Sequence, residues 1–266
     1  MRILFLGDIV GRPGRTAVIH GLGKLRARLG ADMVVANAEN ASGGLGLSAK
    51  SARALLEAGV DVITGGNHIW KFKDLAPLLD KEPRLLRPAN YPAPAPGRGL
   101  GVFELPGLPK VAVLNLQGRT YMEPIDCPFR VADALLKELD EDVRVILADL
   151  HAEATSEKTA MGFHLDGRVS ALVGTHTHIQ TRDARLLPQG TAYITDAGMC
   201  GVKDTCLGMT PGPIVEKFQT GRPVRFVVAK GEAELQGVVL DIDADTGRAT
   251  GVRAWPPEPA GGQGET

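Results

Sequence analysis

Five apolar runs in this chain each end on side chains that can hold a cation or move a proton. Asp8 follows RILFLG, Glu39 and Asn40 follow VVANA, Asn67 and His68 follow VITGG, His151 follows VILADL, and His176 and His178 follow ALVG within Thr175-His176-Thr177-His178. Singly, each has a structural explanation: Asp8 can cap the next turn, Asn67 can take a left-handed conformation beside Gly66, and one histidine can be a satisfied core residue. Jointly they read as one centre, because the carboxyl ends of the strands in an open α/β sheet line one crevice. Carboxylates and amide oxygens are hard ligands and imidazoles borderline ones, a set suited to two divalent ions with one bridging carboxylate and no thiolate. His176-x-His178 on an extended strand would put both rings on one side, able to address ions about 3.5 to 4 Å apart. His20 and His164 fall in helical patterns and read as structural.

The elements that must carry these groups follow from periodicity. Strands are expected at 2–7, 33–37, 60–64, 111–116, 143–150, 171–173 and 192–195, with helices at 16–29 and at 49–58, the latter capped by Ser48. Their alternation indicates an α/β protein with parallel strands. Residues 88–96 (PANYPAPAP) read as an extended linker packed on the surface, and 225–229, 234–243 and 250–254 as a closing antiparallel meander. A domain over 1–255 and a flexible tail at 256–266 are expected. With 266 residues, a net charge of -1 and 23% charged residues, the chain has neither the basic surplus of a sequence-independent nucleic-acid binder nor the composition of a disordered one. Three scattered cysteines give no disulfide framework, and the apolar run at 3–6 is too short to export or anchor the chain, so a cytoplasmic protein without membrane contact is expected.

The ordered motifs Gly7-Asp8, Asn37-Ala38-Glu39-Asn40, Gly66-Asn67-His68, HAEATSEK from His151 and GTHTH from Gly174 resemble the calcineurin-like metallophosphoesterases, and in particular their YmdB-like bacterial branch. The resemblance implies two stacked mixed β-sheets flanked by helices. It implies that Asp8, Glu39, Asn40 and His178 hold one metal and Glu39, Asn67, His151 and His176 the other. The wider superfamily opens with Asp-x-His, where this chain has Val10, and has Gly-Asp where this chain has Glu39-Asn40. The narrower branch shares both departures, which fit iron or manganese rather than zinc at the first site. The activity implied is hydrolysis of phosphodiesters, 2',3'-cyclic nucleotides foremost, by metal-bound hydroxide with His68 as general acid. Orienting a ligating carboxylate is the alternative role for His68.

Other features have two readings. Glu153 and the run 155–158 either surround His151 or open the next helix as a cap, the cap being favoured. Arg12 and Arg15 either meet phosphate or form a solvated helix start, and Trp70 and Phe72 either stack a base or pack. A dinucleotide or P-loop reading of residues 7–16 fails, since the glycine spacing is wrong and Asp8 would repel phosphates. A metal-dependent amidohydrolase also uses His-x-His, on an early barrel strand, and an RNA-associated regulatory protein with a structural metal is the non-enzymatic alternative. An RNA-related role and a homo-oligomer are compatible with everything above.

Overall fold

A computed structural model describes residues 1–257. Strand β1 (Arg2–Leu6) leads through β2 (Asp8–Ile9) into α1 (Gly11–Leu29), followed by β3 (Met33–Asn37), α2 (Ala49–Glu57), β4 (Val62–Thr64) and α3 (Ala76–Lys81). Next come β5 (Leu100–Phe103), β6 (Val111–Gln117), α4 (Pro128–Lys137), β7 (Val145–His151), α5 (Thr155–Leu165) and β8 (Ala171–Thr175). The chain ends in β9 (Arg185–Leu186), β10 (Ala192–Ile194), β11 (Met199–Val202), α6 (Pro211–Thr220), β12 (Ala233–Leu235), β13 (Gly237–Ile242) and β14 (Ala249–Trp255).

Two mixed sheets stack face to face. The first has the order β14-β13-β1-β3-β4, the second β5-β6-β7-β8-β10-β9, with β1, β3 and β4 parallel in one and β6, β7, β8 and β10 parallel in the other. Strand alternation explains the layering. Ile3, Phe5, Met33 and Val35 meet Val113, Leu147, Val173 and Ile194 between the sheets. Leu4, Leu6, Val34 and Ala36 point outward onto Val18, Leu22 and Leu55 of α1 and α2. Leu114, Ala148 and Leu172 face Ala132 and Met161 of α4 and α5. A third, three-stranded sheet, β12-β11-β2, has no counterpart in the expectations from sequence.

Several local expectations are corrected. Helix α1 starts at Gly11 rather than Thr16, because Pro13 falls in the first turn, where the missing N–H has no partner to lose. Residues 225–229 form no strand, only an isolated bridge from Val228 to Met209. The run 234–243 breaks at Gln236: the Gly7 amide donates to its carbonyl at 3.0 Å, so β12 joins the small sheet and β13 pairs with β1. Residues 88–96 do pack against the body as expected: the Asn90 side chain exchanges hydrogen bonds with the Gln117 backbone at 2.7 and 2.9 Å. The stacked sheets are not the barrel that the amidohydrolase alternative requires. Among the described residues no helix is long and apolar enough to cross a membrane. The expected tail, apart from Pro256 and Pro257, lies outside the described residues.

Two glycines let backbone segments approach closely where the strands end. A Cβ on Gly7 would stand 2.1 Å from the Gly198 carbonyl oxygen, and one on Gly174 1.8 Å from that of Thr195. Gly174→Ala therefore has to move backbone and is expected to cost about 1 to 3 kcal/mol. Gly23→Ala on the exposed face of α1 meets nothing within 4 Å and is expected to stabilise by up to about 1 kcal/mol. Denaturant unfolding of the two variants measures both signs.

Candidate metal centre

The carboxyl ends of β1, β3 and β4 in one sheet and of β7 and β8 in the other deliver all eight residues singled out above to one place. Glu39 lies at the middle and is fully buried. Its Oε1 accepts from Asn40 Nδ2 at 2.7 Å and lies 3.1 Å from His68 Nδ1; its Oε2 accepts from the His68 amide at 3.1 Å and lies 3.2 Å from His151 Nε2. Asn40 Oδ1 is 3.0 Å from His68 Nδ1, and its Nδ2 is 3.2 Å from His178 Nε2. On the other side, His151 Nε2 lies 3.1 Å from Asn67 Oδ1 and 3.0 Å from His176 Nδ1.

Two donor groups result. One atom each from Asp8, Glu39 and His178 fall within 4.8 Å of one another, as do one each from Glu39, His151 and His176, so Glu39 is common to both. The electrostatics suit cations. Asp8 Oδ1 is buried with no hydrogen-bond partner, 3.8 Å from His151 Nδ1 and from His178 Nε2. An orphaned carboxylate oxygen is costly unless something positive meets it. Burial drives the Asp8 carboxyl up, against the pull of His178 and His151. Burial also opposes charge on His151, yet Glu39, Asp8 and Asp149 raise it to about 9. Burial and the neighbouring His151 push His176 down to about 3. The cluster thus already favours one buried positive charge between its carboxylates, and the donor set fits divalent metals.

The two histidines of Thr-His-Thr-His converge differently from the expectation. Strand β8 ends at Thr175, and His176 and His178 have φ of 101° and 64°. They sit in a turn, not side by side on a strand, and such backbone costs about 1 to 3 kcal/mol per residue unless its surroundings fix it. Here they do: the His176 amide donates to Asp8 Oδ2 at 3.0 Å, and the Thr177 amide and hydroxyl donate to Asp196 Oδ2 at 3.1 and 2.8 Å. Asp196 is buried and paired with buried Lys158 at 2.8 Å.

The capping reading of 153–158 is overturned. No side chain caps α5. Glu153 lies 3.1 Å from His176 Nε2, and Glu157 accepts from the backbone amides of Arg119 and Thr120. Arg15 donates to the Ala41 carbonyl, shaping the loop after Asn40, while Arg12 is exposed. Trp70 packs edge-on against Tyr91 at 5.3 Å, the packing alternative. His20 is exposed on α1, and His164 pairs with Asp133 at 2.9 Å, away from the centre.

Behind His151 lies a buried polar layer that sequence reasoning missed: Asn37, Thr64, Asp149 and Thr175. A signal for it exists, since Asn37 and Asp149 interrupt otherwise apolar strands. Burial lifts the Asp149 carboxyl to about 6, so at neutral pH it is ionised and accepts from the Thr175 hydroxyl at 2.8 Å. The Thr175 oxygen, 2.9 Å from His151 Nδ1, then accepts that N–H. Without a metal the protonated ring gives its Nε2–H toward Glu39 and Asn67; a cation would displace that proton, and with Nδ1–H still held by Thr175 the Nε2 lone pair would face the ion. Thr175→Val keeps the shape and removes the relay. Metal retention, read by dialysis against a chelator, is expected to weaken by about 10- to 100-fold.

The YmdB-like protein family model matches residues 4–254. The chain is 49% identical over 249 residues to the 2',3'-cyclic-nucleotide 2'-phosphodiesterase of Bacillus subtilis (strain 168), covering 94% of each. It superposes with a TM-score of 0.90 on a hypothetical protein from Thermus thermophilus, at 42% identity over 96% of this chain and 98% of that one. The TM-score is also 0.90 on a structure described as a novel phosphatase of Mycoplasma pneumoniae, at 37% identity over 96% and 92%. With nearly its whole length matched in sequence and in fold, the chain belongs to the YmdB-like protein family.

Proposed function

We propose that this enzyme is a phosphodiesterase of residues 1–255 that acts in the cytoplasm on small phosphodiesters, chiefly 2',3'-cyclic nucleotides, with two divalent cations, iron or manganese, as cofactors. The observation that carries this reading is the single buried carboxylate, Glu39, shared by two donor groups. Asp8, Glu39, Asn40 and His178 would hold one ion, and Glu39, Asn67, His151 and His176 the other. When bound, such a pair supplies a water of lowered pKa and neutralises charge developing on phosphoryl oxygens. The substrate class is supported by the activity of the Bacillus subtilis relative. An RNA-linked role follows from that class, because attack of a ribose 2'-hydroxyl on the adjoining phosphodiester is the chemistry that makes 2',3'-cyclic ends.

The protein's own groups supply orientation and a proton. Asn67 and Asn40 flank His68, with Asn67 Nδ2 3.4 Å from His68 Nε2 and Asn40 Oδ1 3.0 Å from His68 Nδ1. Contact with Glu39 and Asn40 anchors Nδ1–H, and Nε2, which accepts from Asn67 Nδ2 in the neutral ring, is the atom left to take up and give the second proton. The side chain is 32% exposed, enough to meet a departing alkoxide. Asp149, through Thr175, keeps His151 turned inward, and Glu153 does the same for His176 from its Nε2 side.

Asn67→Ala and His68→Ala separate the two duties. Asn67→Ala should lower metal occupancy, with activity partly restored by excess metal. His68→Ala should keep both metals and lose about 10²- to 10⁴-fold in kcat on a ribose alkoxide leaving group, and much less on an activated phenolate. Metal analysis with a phosphoester panel decides; metal loss in His68→Ala, or equal losses on both leaving groups, returns His68 to an orienting role.

A further inference from the structure

Tyr121 is the most exposed large hydrophobic side chain among the described residues, at 90%, and its φ is +62°. An aromatic residue rarely takes this left-handed conformation, which glycine or asparagine would adopt at lower cost. Exposure leaves it no burial to offset that cost. Neither backbone preference nor packing accounts for a tyrosine here, and such an outlier points toward function.

Its place in the fold supplies the function. Gln117, the last residue of β6, is in register with His151, and the Gly118 amide donates to the His151 carbonyl at 3.0 Å. Three residues carry the chain at most about 10 Å, so the Tyr121 backbone sits within that span of Gly118, whose hydrogen-bond partner His151 belongs to the centre. The mount is rigid. The Arg119 and Thr120 amides donate to Glu157 at 3.0 Å each, the Met122 amide donates to the Arg119 carbonyl at 3.2 Å, and Gln117 Nε2 donates to Glu123 at 3.2 Å. Met122 packs into the core beneath. Glu157 lies in the first turn of α5, and Glu153, just before that helix, meets His176 with its carboxylate, so one short segment positions both the centre and this loop.

We propose that Tyr121 is a specificity residue whose ring stacks on the nucleobase of the substrate while the phosphodiester lies at the Glu39 centre. The inference rests on the cyclic-nucleotide reading above. It explains a rigid, strained, fully presented aromatic group, and it fills the base-stacking role that Trp70, occupied by Tyr91, does not. Stacking tolerates every base, since each has a π-face, so purines and pyrimidines would both be accepted with the larger rings favoured.

Steady-state kinetics on metal-loaded enzyme test it, with 2',3'-cyclic AMP and base-free ethylene phosphate as substrates. Tyr121→Ala is expected to raise KM for the cyclic nucleotide by about 5- to 100-fold at nearly constant kcat and to leave ethylene phosphate unaffected, while Tyr121→Phe behaves as the parent. No change, or equal changes on both substrates, overturns the stacking role. Tyr121→Trp keeps the test independent of the substrate reading: adenosine 2'-monophosphate should quench its added fluorescence and ribose 5-phosphate should not. Absence of selective quenching overturns the inference, whereas selective quenching without turnover of 2',3'-cyclic AMP by the parent overturns only the substrate reading.

Discussion

Glu39 brings a carboxylate between two sheets with no exposure to water, and much of the architecture can be understood as what that burial requires. An unpaired ionised carboxylate in such a place costs several kcal/mol. Here both oxygens are engaged, by Asn40, by the His68 amide and ring, and by His151, with burial opposing ionisation and the histidines holding the carboxyl well below its ordinary range. These partners come from the ends of β3, β4 and β7, so the two sheets have to stack in one register for Glu39 to be satisfied. Asp8 stays incompletely matched, with one buried oxygen unpartnered. That residual need for positive charge is the property a cation-binding centre provides.

Packing is subordinated to this demand at identifiable points. Gly7 and Gly174 have no room for a side chain because the strand ends press against the Gly198 and Thr195 carbonyls. The turn carrying His176 and His178 uses left-handed backbone at both histidines, held by Asp8 and by the buried Asp196–Lys158 pair. Polar side chains in otherwise apolar strands, Asn37 and Asp149, give up packing to orient His151 through Thr175. Support of this kind fixes ligand geometry before any ion arrives, which is what distinguishes a functional centre from a chance cluster of charges.

The sequence was informative where period and residue type agreed. The continuous apolar runs in RILFLG and VVANA mark strands buried on both faces, and polar residues at the carboxyl ends of parallel strands in two stacked sheets converge on one edge. The structure brings Asp8, Glu39, Asn40, Asn67, His68, His151, His176 and His178 together. Long-range effects were not legible. Gln236 looks like one more strand residue, yet its carbonyl accepts the Gly7 amide and splits the run between two sheets. Residues 225–229 have strand composition but find no partner strand. Glu153 and Glu157 resemble a helix start, and only the fold shows that one faces His176 and the other the 118–120 loop. The positive φ of His176 and Tyr121 has no local signature, because neither residue type prefers it; tertiary contacts impose it.

The proposed activity turns on Glu39 being shared by two cations. Anomalous diffraction at the manganese edge from crystals of the manganese-loaded protein tests this directly. Two peaks are expected, each about 2.0 to 2.6 Å from a Glu39 carboxylate oxygen, one beside Asp8 and His178 and the other beside His151 and His176. A single peak, or two peaks with Glu39 bound to only one, would contradict it.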